Sequence, residues 1–379
     1  MFSMELGKKE EKQARKLMNL SFRMEVLTGI VLMLCGELLC NSLLTLFGAS
    51  PVTLPLASSY LRIYLLGTVF SMIAGGMNPF INAQGFPMIG MLSVAAGAVM
   101  NIILDPVMIF SLKLGVQGAA VATILSQAVS ACIVIWFLSS GKATSRFMRM
   151  SWKAFLASGR EIRRMVSLGL PSFIMQFTNS LVSVSCNSVL SRTGGDVYVS
   201  VMTIISSVRQ LMDTPILAVA DGASPVISYN YGAGKPQRVI RSVRIMTVLG
   251  FSYTILAWIF IILRSDLVIG IFTSDREILK DAVPSLHIYF FAFVFQTFQY
   301  AGQTAFKALG KSRQAIFFSL LRKALIVVPL TFLLPYAFHL GTDGVFMAEP
   351  ISNVIGGLAC YLTMRCTIFP ELRRMDERE

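Results

Sequence analysis

Charge is scarce in this chain: Asp, Glu, Lys and Arg together make up 14% of 379 residues, against about a quarter in ordinary globular proteins. Histidine is nearly absent, with only His287 and His339. The six cysteines, Cys35, Cys40, Cys132, Cys186, Cys360 and Cys366, stand apart in apolar runs with no C-x-x-C between them, and no H-E-x-x-H occurs. Zinc, haem and thiol chemistry lose their usual ligands, a disulfide framework is excluded, and no cofactor is expected. What is present is apolar surface: 55% hydrophobic residues, 27 Phe, 21 Met and a mean hydropathy of +0.68. A soluble fold has too little interior to hide that much, so the surplus must face lipid. A soluble enzyme is excluded on this ground.

Apolar runs of roughly 20 residues, the length that crosses a bilayer as helix, fall at 22–47, 60–82, 87–112, 116–139, 165–190, 197–228, 240–264, 283–308, 313–338 and 342–368. A membrane barrel would show weak ten-residue alternation instead of solid runs such as Ile255–Leu263. The expected fold class is therefore an all-α, polytopic membrane protein of ten spans. The net charge of +13 invites a nucleic-acid reading, but its distribution argues otherwise. Alternate inter-helix segments hold 26 of the 33 Lys and Arg, grouped around 8–23, 142–164, 235–244, 307–323 and 365–378. The opposite segments hold six, Arg62, Lys113, Arg192, Arg264, Arg276 and Lys280, and Arg209 lies inside a span. The positive-inside rule reads this as both termini in the cytoplasm of a plasma-membrane protein, with no nucleic-acid partner.

The sequence also repeats itself. Leu61-Arg62-Ile63-Tyr64 recurs as Leu286-His287-Ile288-Tyr289, and Asn82-Ala83-Gln84-Gly85 answers to Lys307-Ala308-Leu309-Gly310, both at an offset of 225. Leu114-Gly115-Val116-Gln117-Gly118 matches Leu340-Gly341-Thr342-Asp343-Gly344 at 226, and Gly7-Lys8-Lys9 matches Gly234-Lys235-Pro236 at 227. Matched pairs fall on the same side of the charge count, so the repeats are parallel, and a substrate route between two lobes is expected. The organisation expected is an N-terminal lobe at 1–139, a basic cytoplasmic linker at 140–164 lying on the anionic inner leaflet, and a C-terminal lobe at 165–379.

The run Asn101-Ile-Ile-Leu-Asp105-Pro106, then Gly115-Val-Gln-Gly118-Ala-Ala-Val-Ala-Thr123, and Ser228-Tyr-Asn-Tyr-Gly-Ala233 followed by basic residues strongly resemble the multidrug and toxic compound extrusion (MATE) family. The resemblance covers almost the whole chain. It implies a secondary active exporter of small, cationic amphipathic drugs, driven by entry of H⁺ or Na⁺ through alternating access, acting as a monomer among membrane lipids. The family pattern has twelve helices in two bundles of six. Subtracting 227 from the first two spans of the second repeat puts their counterparts before residue 1, so two helices of the family pattern are expected to be missing.

Asn101 and Asp105 stand at i and i+4, on one face of a helix, and Pro106 removes a backbone donor and frees a carbonyl one turn back. By the resemblance, Asn101, Asp105 and Thr123 form a first-lobe cation site, which takes Na⁺ as oxygen ligands or H⁺ at the carboxylate. The plainer alternative is that Asp105 caps or braces the helix near its extracellular end, with Asn101 as its hydrogen-bond partner. Glu349, offset 226 from Thr123, is a second candidate for coupling or drug contact, or else a buried acid bonded to a neighbouring helix. Gln176, Asn179 and Asn187 share one face and would line a cavity or glue helices together. Arg209 and Asp213, again i and i+4, are expected to pair structurally. Most of the Phe and Met are expected to be lipid-facing filler, and His287 an interfacial anchor. Rivals to the exporter are a lipid-linked precursor flippase, against which the single intra-helical Arg209 counts, and a nontransporting remnant. No acid, His or Cys constellation suggests an intramembrane enzyme.

Overall fold

The computed structural model describes residues 1–46, 53–147, 151–273 and 275–377. They are helical throughout, with no strand among the described residues. Apolar segments of this length have no alternative, because only a helix satisfies its own backbone N–H and C=O groups away from water. Seven helices are long and apolar enough to cross a membrane, and the count reaches nine when two bent pairs are each taken as one span. The tenth expected span lies on the Gly195–Gly232 helix. That helix falls below the same measure because Arg209, Gln210, Asp213 and Thr214 interrupt it near its middle.

Two compact units divide the chain, Met1–Ile162 and Arg163–Glu379. The first holds the helix Glu11–Leu46, the pair Leu54–Leu66 and Thr68–Ala83 bent by 51°, Pro87–Pro106 continued by a π turn at Val107–Ser111, and Gly115–Ser139. Its core is built on Met18, Met77, Ile81, Phe137 and Leu138, all fully buried. Residues of the expected linker pack on this unit: Lys16 pairs with Glu161, and the Arg23 guanidinium lies 5.1 Å from the ring centre of Trp152. A short helix, Trp152–Leu156, is capped by the Ser151 hydroxyl, which accepts from the Ala154 N–H at 3.1 Å. Arg149 of the same segment lies outside the described residues.

The second unit continues from within the Gly159–Thr193 helix through Gly195–Gly232, Pro236–Leu263, a pair over 278–308 bent by 43°, Ser312–Tyr336 and Gly341–Asp376. Leu190, Ile205, Phe290 and Phe346 fill one core, and Ile227, Phe306 and Met364 another. Phe290 and Phe293 are packing residues, whereas Phe291 is 74% exposed.

The repeat reappears in the backbone. Left-handed φ values occur at Gly85 and Gly310, at Lys113 and His339, and at Gly115 and Gly341, with offsets of 225 or 226. The two bent pairs recur at offsets of 224 or 225. Gly118 approaches the Met108 carbonyl as Gly344 approaches the Leu334–Pro335 backbone. In each case a Cβ would come within 3 Å of backbone, so only glycine lets these two helices meet.

Candidate functional site

The helix Gly195–Gly232 carries Arg209 and Asp213 one turn apart, and their direct contact is long: Arg209 Nε donates to Asp213 Oδ2 at 3.4 Å. The pair expected from spacing is present but secondary. Gln296 Nε2 donates to both Asp213 oxygens at 2.8 and 2.9 Å, and Tyr300 OH adds a contact at 3.4 Å. Arg209 reaches across to Glu349 at 2.7 Å and donates to Tyr289 OH at 2.6 Å. The stronger partners of both residues therefore lie on other helices.

Glu349 is 3% exposed and gathers three cations. Beside Arg209, Arg322 Nη2 donates to Oε1 at 2.9 Å, and Lys323 Nζ donates to Oε1 and Oε2 at 2.9 and 3.1 Å. Of the two readings of Glu349, the geometry matches the buried acid bonded to neighbouring helices. Its oxygens are already occupied by this chain's own cations.

Arg322 and Lys323 correct the charge count, which placed them in a cytoplasmic segment. They lie inside the Ser312–Tyr336 helix, on a π turn at Leu321–Val327, and are 4% and 6% exposed. Twenty-four basic residues then stand against six, so the bias persists without them. The π turn precedes Pro329, which has no N–H to donate to the carbonyl four residues back, and the helix widens there. Gly356 on the facing helix makes room for the Arg322 stem, because a Cβ at that position would lie 2.8 Å from Arg322 Cγ.

Three of these cations, with Asp213, form part of the wall of a cavity of about 480 Å³ inside the second unit. Gln176 and Asn179 are also on that wall, but Asn187 is not. Tyr289, Tyr300, Gln299 and Gln303 add to its polar lining, whereas Glu349 is not on the wall. No phenylalanine is on the wall, and only Met175 and Met202 represent the methionines. Two buried atoms here have no hydrogen-bond partner, Arg322 Nε and Gln299 Oε1.

In the first unit the structure links two of the three cation-site candidates. Asn101 Nδ2 donates to Asp105 Oδ1 at 3.3 Å, with both residues half-buried. Thr123 spends its hydroxyl on the Ala119 carbonyl of its own helix at 2.9 Å. The helices carrying them touch at Gly97 against Ser126 and Ser130, and at Gly118 against Met108. These two approaches bracket Thr123 level with the 101–105 turn. No cluster of three or more His, Cys, Asp or Glu able to hold a metal occurs among the described residues, so an ion here would rely on amide, hydroxyl and carbonyl oxygens around one carboxylate.

Sequence reasoning missed Arg322 and Lys323 as site residues, although both lie well inside the apolar stretch 313–338. Tyr289, Gln296, Gln299 and Tyr300 gave no such signal, since single polar residues on a bent helix pair do not announce which face they occupy.

Comparison with known proteins places the chain in context. The MatE family model matches residues 1–107 and 171–333. Multidrug export protein MepA of Staphylococcus aureus (strain MSSA476) is 26% identical over 360 residues, covering 94% of this chain and 77% of that protein. The protein of the same name from Staphylococcus saprophyticus is 25% identical over 359 residues, again covering 94% and 77%. A solved structure of MATE in the bent conformation superposes with a TM-score of 0.91 at 23% identity, covering 98% of this chain and 82% of that one. An outward-facing multidrug resistance MATE family transporter of the MOP superfamily gives the same four figures. At that identity the likeness to solved structures establishes the fold.

Proposed function

We propose that this chain, which belongs to the MatE family, exports small amphipathic drugs from the cell, exchanging them for H⁺ or Na⁺ by alternating access. The observation that carries the reading is a polar cavity of about 480 Å³ inside a unit whose helices are otherwise apolar. That volume suits a drug-sized ligand, and buried ionisable groups in membrane helices are costly enough to be kept for function. The export activity in the names of the staphylococcal relatives supports the same reading.

The coupling ion is assigned to Asn101, Asp105 and Thr123. The support is one half-buried carboxylate with an amide one turn away, next to a proline and a π turn that loosen the local backbone. A carboxylate there can bind a proton outright or balance a bound sodium ion. Both termini are assigned to the cytoplasm of the bacterial inner membrane, on the strength of the 24-to-6 basic bias. Cysteines introduced at Lys142 and Lys235 should then react only from the cytoplasmic side and one at Lys280 only from outside; the reverse pattern would overturn the orientation.

The test of function is ethidium accumulation in efflux-deficient bacteria expressing the chain. Cells should retain severalfold less dye than controls, and an ionophore that collapses the ion gradients should abolish the difference. Equal retention with and without a membrane-inserted chain would sink the proposal.

A further inference from the structure

The buried charges of the second unit do not balance. Arg209, Arg322 and Lys323 bring three positive charges, Asp213 and Glu349 two negative ones, and the ion pairs among them leave one positive charge over. Glu349 is 3% exposed, and the other four side chains lie on the wall of the cavity of about 480 Å³. Water screens a surplus poorly in such a place, and a buried group that can discard its charge by moving a proton does so.

One member of the cluster has that freedom. The two guanidinium groups keep their protons under all ordinary conditions, and protonating Asp213 or Glu349 would enlarge the surplus. Three other titratable groups face the cluster from neighbouring helices. Tyr289 OH accepts from Arg209 at 2.6 Å, Tyr300 OH lies 3.4 Å from Asp213, and Cys186 Sγ lies 3.8 Å from the Thr331 hydroxyl. Each of these would become a buried anion on losing a proton, whereas Lys323 only ceases to be a buried cation.

The hydrogen bonding suits both states of Lys323. Its Nζ donates to Glu349 Oε1 and Oε2 at 2.9 and 3.1 Å, and an ammonium has three N–H donors. The neutral amine keeps two, the number those contacts use, so the proton can leave without breaking the tie. Arg209 and Arg322 still balance Glu349 at 2.7 and 2.9 Å. Charge also decides what can share the cavity. A lipophilic cation beside a protonated Lys323 meets a like charge in a water-poor site, a repulsion of several kcal/mol. Beside a neutral Lys323 it restores the same total of one positive charge.

We propose that Lys323 is a proton-exchanging residue of the second unit: its ammonium proton and a cationic substrate occupy the cavity by turns. Each cation bound displaces one proton from Nζ to the aqueous phase then facing the cavity, and each proton regained expels the cation. The inference rests on the export reading for the word substrate. It adds to Asp105 a second coupling group, one that handles H⁺ alone.

The test is binding of tetraphenylphosphonium, a permanent cation with no proton to lose, to the purified full chain in neutral-lipid nanodiscs. Calorimetry in two buffers of different ionisation enthalpy counts the protons released. Over at least one unit between about pH 6 and about pH 9, affinity should rise about tenfold as about one proton leaves per cation bound. Lys323→Met should hold the high-pH affinity at every pH and release no proton. Lys323→Arg keeps the charge and the Glu349 pair but cannot give the proton up, so it should bind weakly at every pH.

A cation needed only for structure would be replaced by arginine with the pH profile intact, so a native profile in Lys323→Arg overturns the proposal. Proton release that survives in Lys323→Met also overturns it. So does binding by the native chain that is absent or independent of pH, a result that requires no variant to fold. Failure of the export reading would look different: ethidium retention unaffected by the chain, with the pH-linked binding intact.

Discussion

At the offset of 226 residues, Ala96 and Gly97 of the first unit correspond to Arg322 and Lys323 of the second, Thr123 to Glu349, and Ser130 to Gly356. The backbone turns coincide, but the interface between the paired helices is built in opposite ways. In the first unit the small residue Gly97 lets the helices close, and Ser130 donates to the Ser93 carbonyl at 2.8 Å. In the second the small residue is on the other helix, Gly356, and long cationic stems fill the space that Gly97 leaves empty. The fold accepts either solution. What differs is chemistry: this helix pair carries the lightly bonded Asp105 in the first unit, and in the second it joins a buried group of three cations and two carboxylates.

The widest test of that contrast is Glu349→Gln. Three buried cations would lose a shared counter-charge, which costs about 3–5 kcal/mol for a buried pair broken on one side. Thermal unfolding in detergent should fall sharply; an unchanged midpoint would mean the cluster does not hold the second unit together. Asp105→Asn should do the reverse. Its contact with Asn101 is long and half-buried, so stability should stay within about 1 kcal/mol of native, while ion-driven ethidium efflux is abolished because an amide neither carries a proton nor balances a cation. Normal efflux by that variant would remove Asp105 from coupling. If it is lost, efflux measured against sodium concentration at a fixed proton gradient separates the two ions.

Smaller effects sharpen the comparison further. Gly356→Ala adds a Cβ 2.8 Å from Arg322 Cγ and should cost about 1–3 kcal/mol by overpacking, whereas Ser130→Ala at the matching position should cost only about 1 kcal/mol for one hydrogen bond. Equal losses at the two sites would mean the helix pairs are packed alike after all. Thr123→Ala should change stability by about 0.5 kcal/mol or less and reduce efflux severalfold. Native efflux would leave the hydroxyl with only its bond to Ala119.

The fold class and the repeat were legible in the sequence because both depend on patterns many residues long. The described part of each of the ten apolar stretches lies on a helix or a bent helix pair, and the repeat offset survives in the φ values of Gly85 and Gly310. The acid pair at Asn101 and Asp105 was legible for a local reason, an i, i+4 spacing within one helix. The second site was not, since it joins Arg209, Gln296, Arg322 and Glu349 across four separate helices. Glu349 could be singled out as an intramembrane acid, but its partners could not be named. Arg322 and Lys323 were hidden by counting them with the basic loop at 307–313, although they lie about three turns into the helix that follows it. Adjacent residues on an α-helix also point about 100° apart, so nothing in their spacing suggests that both meet one carboxylate.

The π turn at Leu321–Val327 carries both of those residues, and it has a bearing on how this segment tolerates change in length. A π turn holds one residue more than the α turn it replaces, so deleting a single residue there would restore regular winding and shorten the helix by almost nothing. The residues on either side would keep their facing, but those inside the former turn would be respaced at about 100° per residue. Lys323 and Arg322 could no longer both reach Glu349, although hydropathy and length would scarcely alter. Among substitutions, insertions and deletions in this helix, the one-residue deletion is thus the change that a membrane-span analysis would overlook and the buried charges would not survive.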